Sequence, residues 1–259
     1  MMTQTIEFSA AQKATALRVA DAAGKEMSAA AILTALAIPR PRALVVLNGG
    51  TAKLDETLQN HLARAIQDGL ARVAAEEQIM VITGGTDAGI FQLFGQGIAR
   101  YGRTAPCLGV AVADLVTWPG HPQGEAPLEP HHSHFVLVEG KSWGDETQMM
   151  YALIKTLAQT CPSIAVFASG GEITIHEMQM NVAQDRSMIF LAGSGRATDA
   201  VLAARRGEPQ ADVRLHEIAT QGQIFPHPIS EPPATLANVI RRALAVGERG
   251  EITSKQLGD

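Results

Sequence analysis

The sequence predicts an α/β protein with a doubly wound, mostly parallel sheet of six to seven strands and helices on both faces. Three observations support this class. The apolar runs are short and uninterrupted, which is typical of strands buried on both faces of a parallel sheet. Glycine-rich turns follow four of these runs, and a helical pattern follows each turn. Aromatic residues make up only 4% of the chain, so Ala, Val, Leu and Ile must supply most of the core.

The region before the first strand, residues 1–40, is rich in alanine, and we expect an N-terminal helical segment there, with its helix over residues 21–36. Prolines and arginines at residues 39–42 punctuate the entry to the first strand. The helix is expected to pack either on the flank of the sheet or on a neighbouring subunit, and the sequence does not choose between these two.

The main domain is predicted over residues 41–208, where strands and helices alternate. Residues 114–133, which carry four prolines among glycines and histidines, are predicted to form a long loop of the kind that often serves as a lid or binding loop. The first helix of the domain has the clearest apolar face. The predicted strands are 44–47, 79–82, 107–112, 135–138, 163–167 and 187–191. The predicted helices are 54–75, 91–100, 145–159, 173–183 and 196–206.

The last part of the chain, residues 209–259, is predicted to be a C-terminal extension packed on the same domain. It is expected to be irregular at first and to end in a helix over 234–246. Together with the alanine-rich N-terminus, the apolar helices offer surface to bury. We therefore expect a homo-oligomer, either a homodimer or a higher oligomer.

Composition and charge indicate which partners the protein binds and where in the cell it is found. The formal net charge is −5, and there is no long run of Lys or Arg, which argues against nucleic acid as the main partner. No signal peptide is recognisable, and no apolar stretch reaches the length of about 18 residues that a membrane span needs. Cys107 and Cys161 form no CxxC pair and are expected to be buried, as suits a reducing cytosol. We therefore expect a cytoplasmic protein without a membrane segment.

The glycine-rich turns predict where a ligand binds. Each follows a strand of a parallel sheet, so the turns gather at the carboxyl edge, where open α/β sheets bind ligands. Glycine lets the backbone approach a ligand closely, and helix N-termini add positive potential. We therefore predict a site for a phosphorylated small molecule. Its candidate residues in the turns are Gly49, Gly50, Thr83, Gly84, Gly85, Thr86, Gly89, Gly170, Gly171, Gly193, Ser194 and Gly195.

The turn Gly193-Ser194-Gly195-Arg196 is the most specific of these signals. Arg196 opens the following helix, where the helix dipole disfavours a cation. A cation at that place is explained if an anion binds between the helix end and the guanidinium. The alternative is that Arg196 turns outward and pairs with Asp199.

Aromatic and histidine residues supply further candidates. Trp143, followed by Gly144 and Glu146, is placed either to stack on a nucleobase or to anchor the packing. Three histidines at 131–134 suggest a metal, but neighbours on an extended segment point to opposite faces, and no Cys or nearby carboxylate completes a tetrahedral set. We therefore predict no metal site. His134 is instead expected to hydrogen-bond to the glycine turns or to the ligand.

Two acidic residues follow the Gly170-Gly171 turn. Glu172 or Glu177 is a candidate to stabilise positive charge at a ribose C1′. The alternative is that both are ordinary acidic residues in the first turns of a helix. Ser169 lacks a G-x-S-x-G setting, so no serine-hydrolase elbow is predicted, and the sequence has neither a Walker A motif nor GxGxxG.

Taken in order over residues 43–206, these segments resemble the cytosolic N-terminal homology region of melastatin-type TRP channels. This identifies the chain as a member of the SLOG superfamily, in its prokaryotic TRPM-like (LSDAT) branch, more distantly similar to LOG phosphoribohydrolases and to DprA. The resemblance implies a Rossmann-like fold and a SLOG nucleotide-binding domain over 41–208. The segments that carry it are Thr83-Gly84-Gly85 with Gly89, His132-Ser133-His134-Phe135, Trp143-Gly144-Asp145-Glu146, Gly170-Gly171 and Gly193-Ser194-Gly195-Arg196-Ala197-Thr198-Asp199.

The resemblance also implies a ligand. Some of the channels bind ADP-ribose in this domain, and their ligand-binding aromatic residue and arginine match Trp143 and Arg196. Met150 stands where they have a second ligand arginine. The LOG motif PGG-x-GT-x-x-E matches residues 169–177 with its glutamate retained as Glu177, whereas the LOG catalytic arginine has no clear counterpart.

Three functional hypotheses follow. We favour binding or sensing of a nucleotide-derived small molecule similar to ADP-ribose, with no cofactor required. The second hypothesis is hydrolysis of a nucleotide N-glycosidic bond with Glu177 as the catalytic residue, and the third is a structural or interaction protein without a ligand. Glu177 discriminates between the first two, because an enzyme needs its carboxylate at the ribose, whereas a sensor tolerates glutamine. A sensor also needs an effector protein or a change in oligomeric state.

Overall fold

A computed structural model describes residues 3–20, 28–50 and 56–246. Residues 21–27 of the predicted N-terminal helix lie outside the described residues, as do 51–55, where the helix predicted over 54–75 begins. The end of the predicted C-terminal extension, 247–259, also lies outside them.

The strands form one large sheet and one small one. Nine strands form the large sheet in the order β1-β2-β8-β5-β4-β3-β9-β10-β11, and its neighbours are parallel except for the antiparallel pair β1–β2. β6 and β7 form the small sheet within the long loop. The strands are β1 (Gln4–Glu7), β2 (Lys13–Val19), β3 (Leu44–Gly49), β4 (Met80–Thr83), β5 (Cys107–Val112), β6 (Val116–Thr117), β7 (Ala126–Pro127), β8 (His134–Val138), β9 (Ser163–Ala168), β10 (Met188–Ala192) and β11 (Ile224–Pro228).

Helices cover both faces of the sheet. α1, α5, α6, α7 and α8 pack on one face, while α2, the π-helical turns, α3, α4 and α9 pack on the other. The helices are α1 (Ala29–Ala35), α2 (Glu56–Ala63), a π-helix (Arg64–Ala71), α3 (Arg72–Glu77), α4 (Gly89–Tyr101), α5 (Thr147–Ala158), α6 (Glu172–Ala183), α7 (Arg196–Arg205), α8 (Val213–Gln221) and α9 (Pro233–Val246). The predicted α/β class and doubly wound sheet are therefore confirmed. No helix in the described ranges is both long enough and apolar enough to cross a membrane.

β3 lies in the interior of the sheet, between β4 and β9, and its side chains contribute to the hydrophobic layers on both faces. Leu44 and Val46 pack on one face, whereas Val45 and Leu47 pack on the other, and all four are fully buried. This alternation explains why the run is apolar without interruption, since successive strand residues point to opposite faces and both faces are covered.

The prediction for residues 1–40 is wrong in its first half. Residues 3–20 contain the strands β1 and β2 rather than helix, and β2 adds to the sheet beside β8. Ala14 and Ala16 are buried in a small cluster with Phe135, and this packing overrides the helix propensity of alanine. Helix α1 falls within the predicted span 21–36 but is only seven residues long.

The C-terminal region also contains more regular structure than predicted. α8 and β11 occupy a stretch expected to be irregular, and β11 pairs with β10 at the edge of the sheet. Pro226 and Pro228 are compatible with this strand because an edge strand needs hydrogen bonds on one side only. Helix α9 confirms the predicted terminal helix. With β1, β2 and β11 included, the sheet has nine strands rather than six or seven.

The strand order defines a topological switch point between β3 and β9. From β3 the chain builds the sheet outward through β4, β5 and β8, then returns to β9 on the other side of β3 and continues to β10 and β11. In open α/β sheets the crevice at such a point, at the carboxyl ends of the strands, is the usual ligand site.

Candidate functional site

A cleft of about 370 Å³ opens at the carboxyl edge of the sheet, close to the switch point. Residues from turns, helices and the long loop contribute to its wall. The lining residues are Gly49, Gly84, Thr86, Ala88, Phe91, Glu125, Ala126, Trp143, Glu146, Ile173, Thr174 and Glu177. The structure thus brings together six of the predicted site residues in this cleft, namely Gly49, Gly84, Thr86, Trp143, Glu146 and Glu177.

Glycine is required where the ends of β3 and β9 meet. A Cβ on Gly49 would lie 2.0 Å from the carbonyl oxygen of Ala168, and one on Gly50 would lie 3.0 Å from the backbone nitrogen of Gly170. The Gly50 N–H donates to the Ala168 carbonyl at 3.0 Å. These two glycines therefore let the turns after β3 and β9 pack backbone to backbone beside the cleft.

The β9 turn (residues 169–171) leads into α6 through an unusual backbone. Ser169 and Gly170 have φ values of 57° and 93°, both in the left-handed region. No side chain caps α6, which begins at Glu172, and Ile173 and Thr174 of its first turn line the cleft. The N–H groups of a first helical turn have no acceptor within the helix, so this turn offers donors and positive potential at the cleft.

The β10 turn (residues 193–196) has a similar composition but satisfies its own polar groups. The Asp199 carboxylate accepts hydrogen bonds from the N–H groups of Gly193 and Gly195 at 2.9 and 2.8 Å. The buried Ser194 hydroxyl accepts from the Ser169 N–H at 2.8 Å. Asp199 thus occupies the position that an anion would take at the start of α7.

Arg196 projects from the β10 turn towards the β9 turn. Its Nη2 atom lies 3.1 Å from the position that a Cβ on Gly171 would take. The side chain is exposed, and among the described residues it has neither an ion pair nor a hydrogen bond. Since Asp199 is engaged with the backbone, the alternative of an Arg196–Asp199 pair is wrong. The guanidinium instead lies beside the uncapped start of α6, a suitable place for an anion.

Two buried carboxyl groups, Glu146 and Glu177, form what we call the carboxyl pair. Glu146 is 9% exposed and accepts a hydrogen bond from the Gly144 N–H at 2.7 Å. Glu177 is 7% exposed, and its carboxyl group has no hydrogen-bond partner within the described structure. Burial, together with the charge of Glu146, raises the pKa of Glu177 well above its ordinary value, and burial raises the pKa of Glu146. The pair therefore keeps a proton to a higher pH than isolated carboxyl groups do.

A buried polar network lies next to Glu177 and was not predicted. The Tyr151 hydroxyl accepts hydrogen bonds from the side-chain amides of Asn48 and Asn181, at 3.0 and 2.6 Å. Asn181 in turn accepts from the buried Arg186 at 3.0 Å. The side-chain amide oxygen of Asn48 is buried without a hydrogen-bond partner among the residues that the structure describes. A polar residue at the end of the otherwise apolar β3 run was the signal that could have indicated this network.

Aromatic side chains and the long loop form the rim of the cleft. The Trp143 indole N–H donates to the Glu125 carboxylate at 2.9 Å, and both residues line the cleft. Phe91 packs against Gly84, where a Cβ would lie 2.7 Å from the ring. The loop 114–133 therefore contributes directly to the site through Glu125, a residue that was not among the predicted site residues.

The histidine segment forms a chain of hydrogen bonds that ends at the Gly84-Gly85 turn. The Glu129 carboxylate lies 2.7 Å from Nδ1 of both His131 and His132, and His132 Nε2 lies 2.8 Å from the Thr83 hydroxyl. That hydroxyl accepts the Gly85 N–H at 2.9 Å. Glu129 thus folds back onto two of the histidines, but the described residues contain no group of three or more His, Cys, Asp or Glu arranged to hold a metal ion. Thr83 and His132 are fully buried, so this chain of groups shapes the cleft wall rather than meeting a ligand.

The remaining predicted residues lie outside the cleft lining. Glu172 is exposed and pairs with Arg214, which separates it from Glu177. His134 bonds to the Ser133 hydroxyl at 2.8 Å, and burial lowers its pKa. Gly89 is the first residue of α4. A ligand role for these residues, and for the glycines next to the cleft, stays a prediction.

Comparison with known proteins places this geometry in a family. The family model described as "SLOG in TRPM, prokaryote" matches residues 42–237. "Transient receptor potential cation channel subfamily M member 2" of Rattus norvegicus is 23% identical over 223 residues, which cover 71% of this chain and 15% of that protein. The member-like 2 protein of Nematostella vectensis is 24% identical over 206 residues, which cover 62% of this chain and 13% of that protein. The chain thus matches only a small part of these relatives. Because the family model covers most of the chain, including the cleft, the chain belongs to the prokaryotic SLOG family related to TRPM proteins.

Proposed function

We propose that the cleft binds a nucleotide-derived small molecule similar to ADP-ribose. Three features support this function. The cleft lies at the topological switch point, glycines bring the backbone to its wall, and α4 and α6 begin beside it without a capping side chain. The family relationship agrees with a nucleotide role, since the resembling region of some TRP channels binds ADP-ribose.

The site has a place for each part of a nucleotide. A phosphate fits at the start of α6, between the first-turn N–H groups and Arg196. The carboxyl pair lines the interior of the cleft, where it can accept hydrogen bonds from donor groups of the nucleoside. Trp143 is half-buried at the rim and offers a ring on which a base can stack.

The single observation that carries this proposal is the exposed Arg196 guanidinium, which has no ion pair among the described residues and lies beside an uncapped helix start. Isothermal titration calorimetry with ADP-ribose tests it. Arg196→Ala should weaken binding by about 1.5–3 kcal/mol, the value of a charge-assisted hydrogen bond. Arg206→Ala is the matched control, because Arg206 is exposed at the other end of α7 and pairs with Glu208. Equal affinity in the wild type and Arg196→Ala, with an intact fold, would contradict the assignment.

A second candidate function is hydrolysis of a nucleotide N-glycosidic bond. The observation that favours it is the Glu177 carboxyl in the cleft, next to Glu146, which has no hydrogen-bond partner in the described part of the chain. In this reaction the bond between C1′ and the base nitrogen breaks, and its electron pair leaves with the base. The oxygen of a water then bonds to C1′, and the proton of that water passes to an ionised carboxylate of the pair.

Incubation of the protein with ADP-ribose and adenosine monophosphate, followed by chromatography, distinguishes the two functions. An enzyme releases base, and Glu177→Gln should stop the release while binding persists. Intact nucleotide after long incubation would leave binding as the function. We further propose that ligand binding is signalled through a change in a homo-oligomer or through an effector protein. Light scattering with and without ADP-ribose would test for a change in the oligomer.

A further inference from the structure

The charges that line the cleft have one sign. Among the described residues of the lining, Glu125, Glu146 and Glu177 are acidic, and no Lys, Arg or His is present. Arg196 lies outside, over Gly171. We therefore place a phosphate beside Arg196, outside the lining, rather than among the carboxyl groups.

One carboxyl group of the lining has no hydrogen-bond donor within the described structure. The Glu177 carboxyl is more than nine-tenths buried, lines the cleft and has no donor among the described residues. A buried acceptor without a donor is costly, so this carboxyl group is complementary to a group that brings positive charge or hydrogen-bond donors.

Aromatic rings complete the environment. Phe91 and Trp143 line the same cleft as the three carboxylates. A cation held near the face of an aromatic ring and close to carboxylates gains from both, particularly where water is excluded. A planar, delocalised organic cation fits these surroundings better than a metal ion. The described residues contain no group of three or more His, Cys, Asp or Glu arranged to hold a metal.

From these observations we infer that the part of the ligand that enters the cleft is a planar cation, and that the preferred ligands are nucleotides whose base is an N-ribosylated pyridinium. This inference rests on the proposed nucleotide site and assigns its substrate class. The cationic ring lies among the carboxylates, while the phosphates remain at Arg196. The high pKa of the carboxyl pair agrees with this arrangement, because a cation replaces the proton that the pair otherwise keeps.

NAD⁺ and NADH form a matched pair of probes, because they have the same phosphates and nearly the same size but differ in the charge of the nicotinamide ring. Calorimetry at low temperature should show that NAD⁺ binds at least tenfold more tightly than NADH. Glu177→Gln should reduce this ratio severalfold while changing the affinity for NADH little. Glu172→Gln is the control, since Glu172 pairs with Arg214 outside the cleft and should keep the full ratio.

The outcomes separate this inference from the proposed function. Equal binding of NAD⁺ and NADH would overturn the preference for a cation and leave nucleotide binding intact. A preference for NAD⁺ that is unchanged in both Glu177→Gln and Glu146→Gln would also overturn the inference, because the carboxyl pair would not be its source. If neither probe nor ADP-ribose binds, the proposed function fails and the inference fails with it.

Discussion

The β9 turn and the β10 turn are neighbours with similar glycine-rich sequences, yet they use their polar groups in opposite ways. In the β10 turn, Asp199 accepts the N–H groups of both Gly193 and Gly195. In the β9 turn, the following helix starts without a capping side chain, beside a cleft. Glycine-rich composition therefore does not by itself mark an anion site, because the site depends on whether the backbone donors are already engaged.

The β10 turn also stabilises the β9 turn. The Ser194 hydroxyl accepts from the Ser169 N–H, and the N–H groups of Ala197 and Thr198 donate to the carbonyl oxygens of Gly170 and Ser169. These contacts hold the β9 turn in its left-handed conformation and set Arg196 over it. We infer that the β10 turn contributes its arginine to the ligand and its remaining polar groups to the fold.

Substituting one glycine in each turn should give the largest difference in the free energy of unfolding between the two turns. Gly170 and Gly195 both have positive φ values, 93° and 83°, so alanine at either position costs about 1–3 kcal/mol in backbone strain. At Gly170 a Cβ would also lie 2.3 Å from the Thr174 hydroxyl oxygen, whereas at Gly195 nothing lies within 4 Å. We expect Gly170→Ala to lower the free energy of unfolding by about 3 kcal/mol or more, since overpacking adds to the strain. If urea denaturation showed the same loss in the free energy of unfolding for Gly170→Ala and Gly195→Ala, this explanation would be contradicted.

Removing the Asp199 carboxylate, which accepts the N–H groups of the β10 turn, should have the next largest effect on the free energy of unfolding. Asp199→Ala leaves the N–H groups of Gly193 and Gly195 without their acceptor, and should lower the free energy of unfolding by about 1–2 kcal/mol, as the loss of a helix cap does. If the carboxylate stands in for an anion, added sulfate should restore more stability to Asp199→Ala than to the wild type. A variant that is as stable as the wild type would show that the turn is not held in this way.

The buried Glu177 predicts a change in stability with pH. Its pKa is raised in the folded state, so its contribution is fully present below the ordinary carboxyl pKa of about 4.3 and is lost as the pH rises through the folded value. Glu177→Gln does not lose stability in this way, because glutamine does not ionise. Its free energy of unfolding should therefore exceed that of the wild type at pH 8 by about 1 kcal/mol or more, with the difference shrinking towards pH 4. A difference that does not depend on pH would contradict the burial of an unpaired carboxyl.

Arg196→Ala should have the smallest effect on the fold. The side chain is exposed and has no ion pair among the residues that the structure describes, so the free energy of unfolding should stay within about 0.5 kcal/mol of the wild type. Asp199→Ala, three residues away, is the comparison. A loss of stability in Arg196→Ala as large as that in Asp199→Ala would mean that Arg196 serves the fold rather than a ligand.

Local patterns in the sequence predicted the core of the sheet and the glycine-rich turns at its carboxyl edge. The apolar run at 44–47 and the glycines that follow it were sufficient, because burial on both faces and close backbone approach restrict the residue types. The strands of residues 3–20 were missed because the buried face of β2 includes alanines, which favour helix until they pack against Phe135. β11 was missed because its prolines are acceptable only at a sheet edge.

The floor and rim of the site were harder to predict than the turns. Glu177 was identified, but its unpaired state was not, since that depends on what the rest of the fold places around it. Glu125 reaches the cleft through a long loop, and Tyr151 meets Asn48 across more than a hundred residues of sequence. Contacts of this kind arise from topology and leave no periodic pattern in the chain.

The most direct test of the contrast between the two turns is an NMR titration of the ¹⁵N-labelled protein with ADP-ribose. The largest amide shift changes are expected at Gly171, Glu172 and Ile173, where the start of α6 is uncapped. Smaller changes are expected at Gly193 and Gly195, whose N–H groups already donate to Asp199. The largest changes at Gly193 and Gly195, or no changes in either turn, would contradict this contrast.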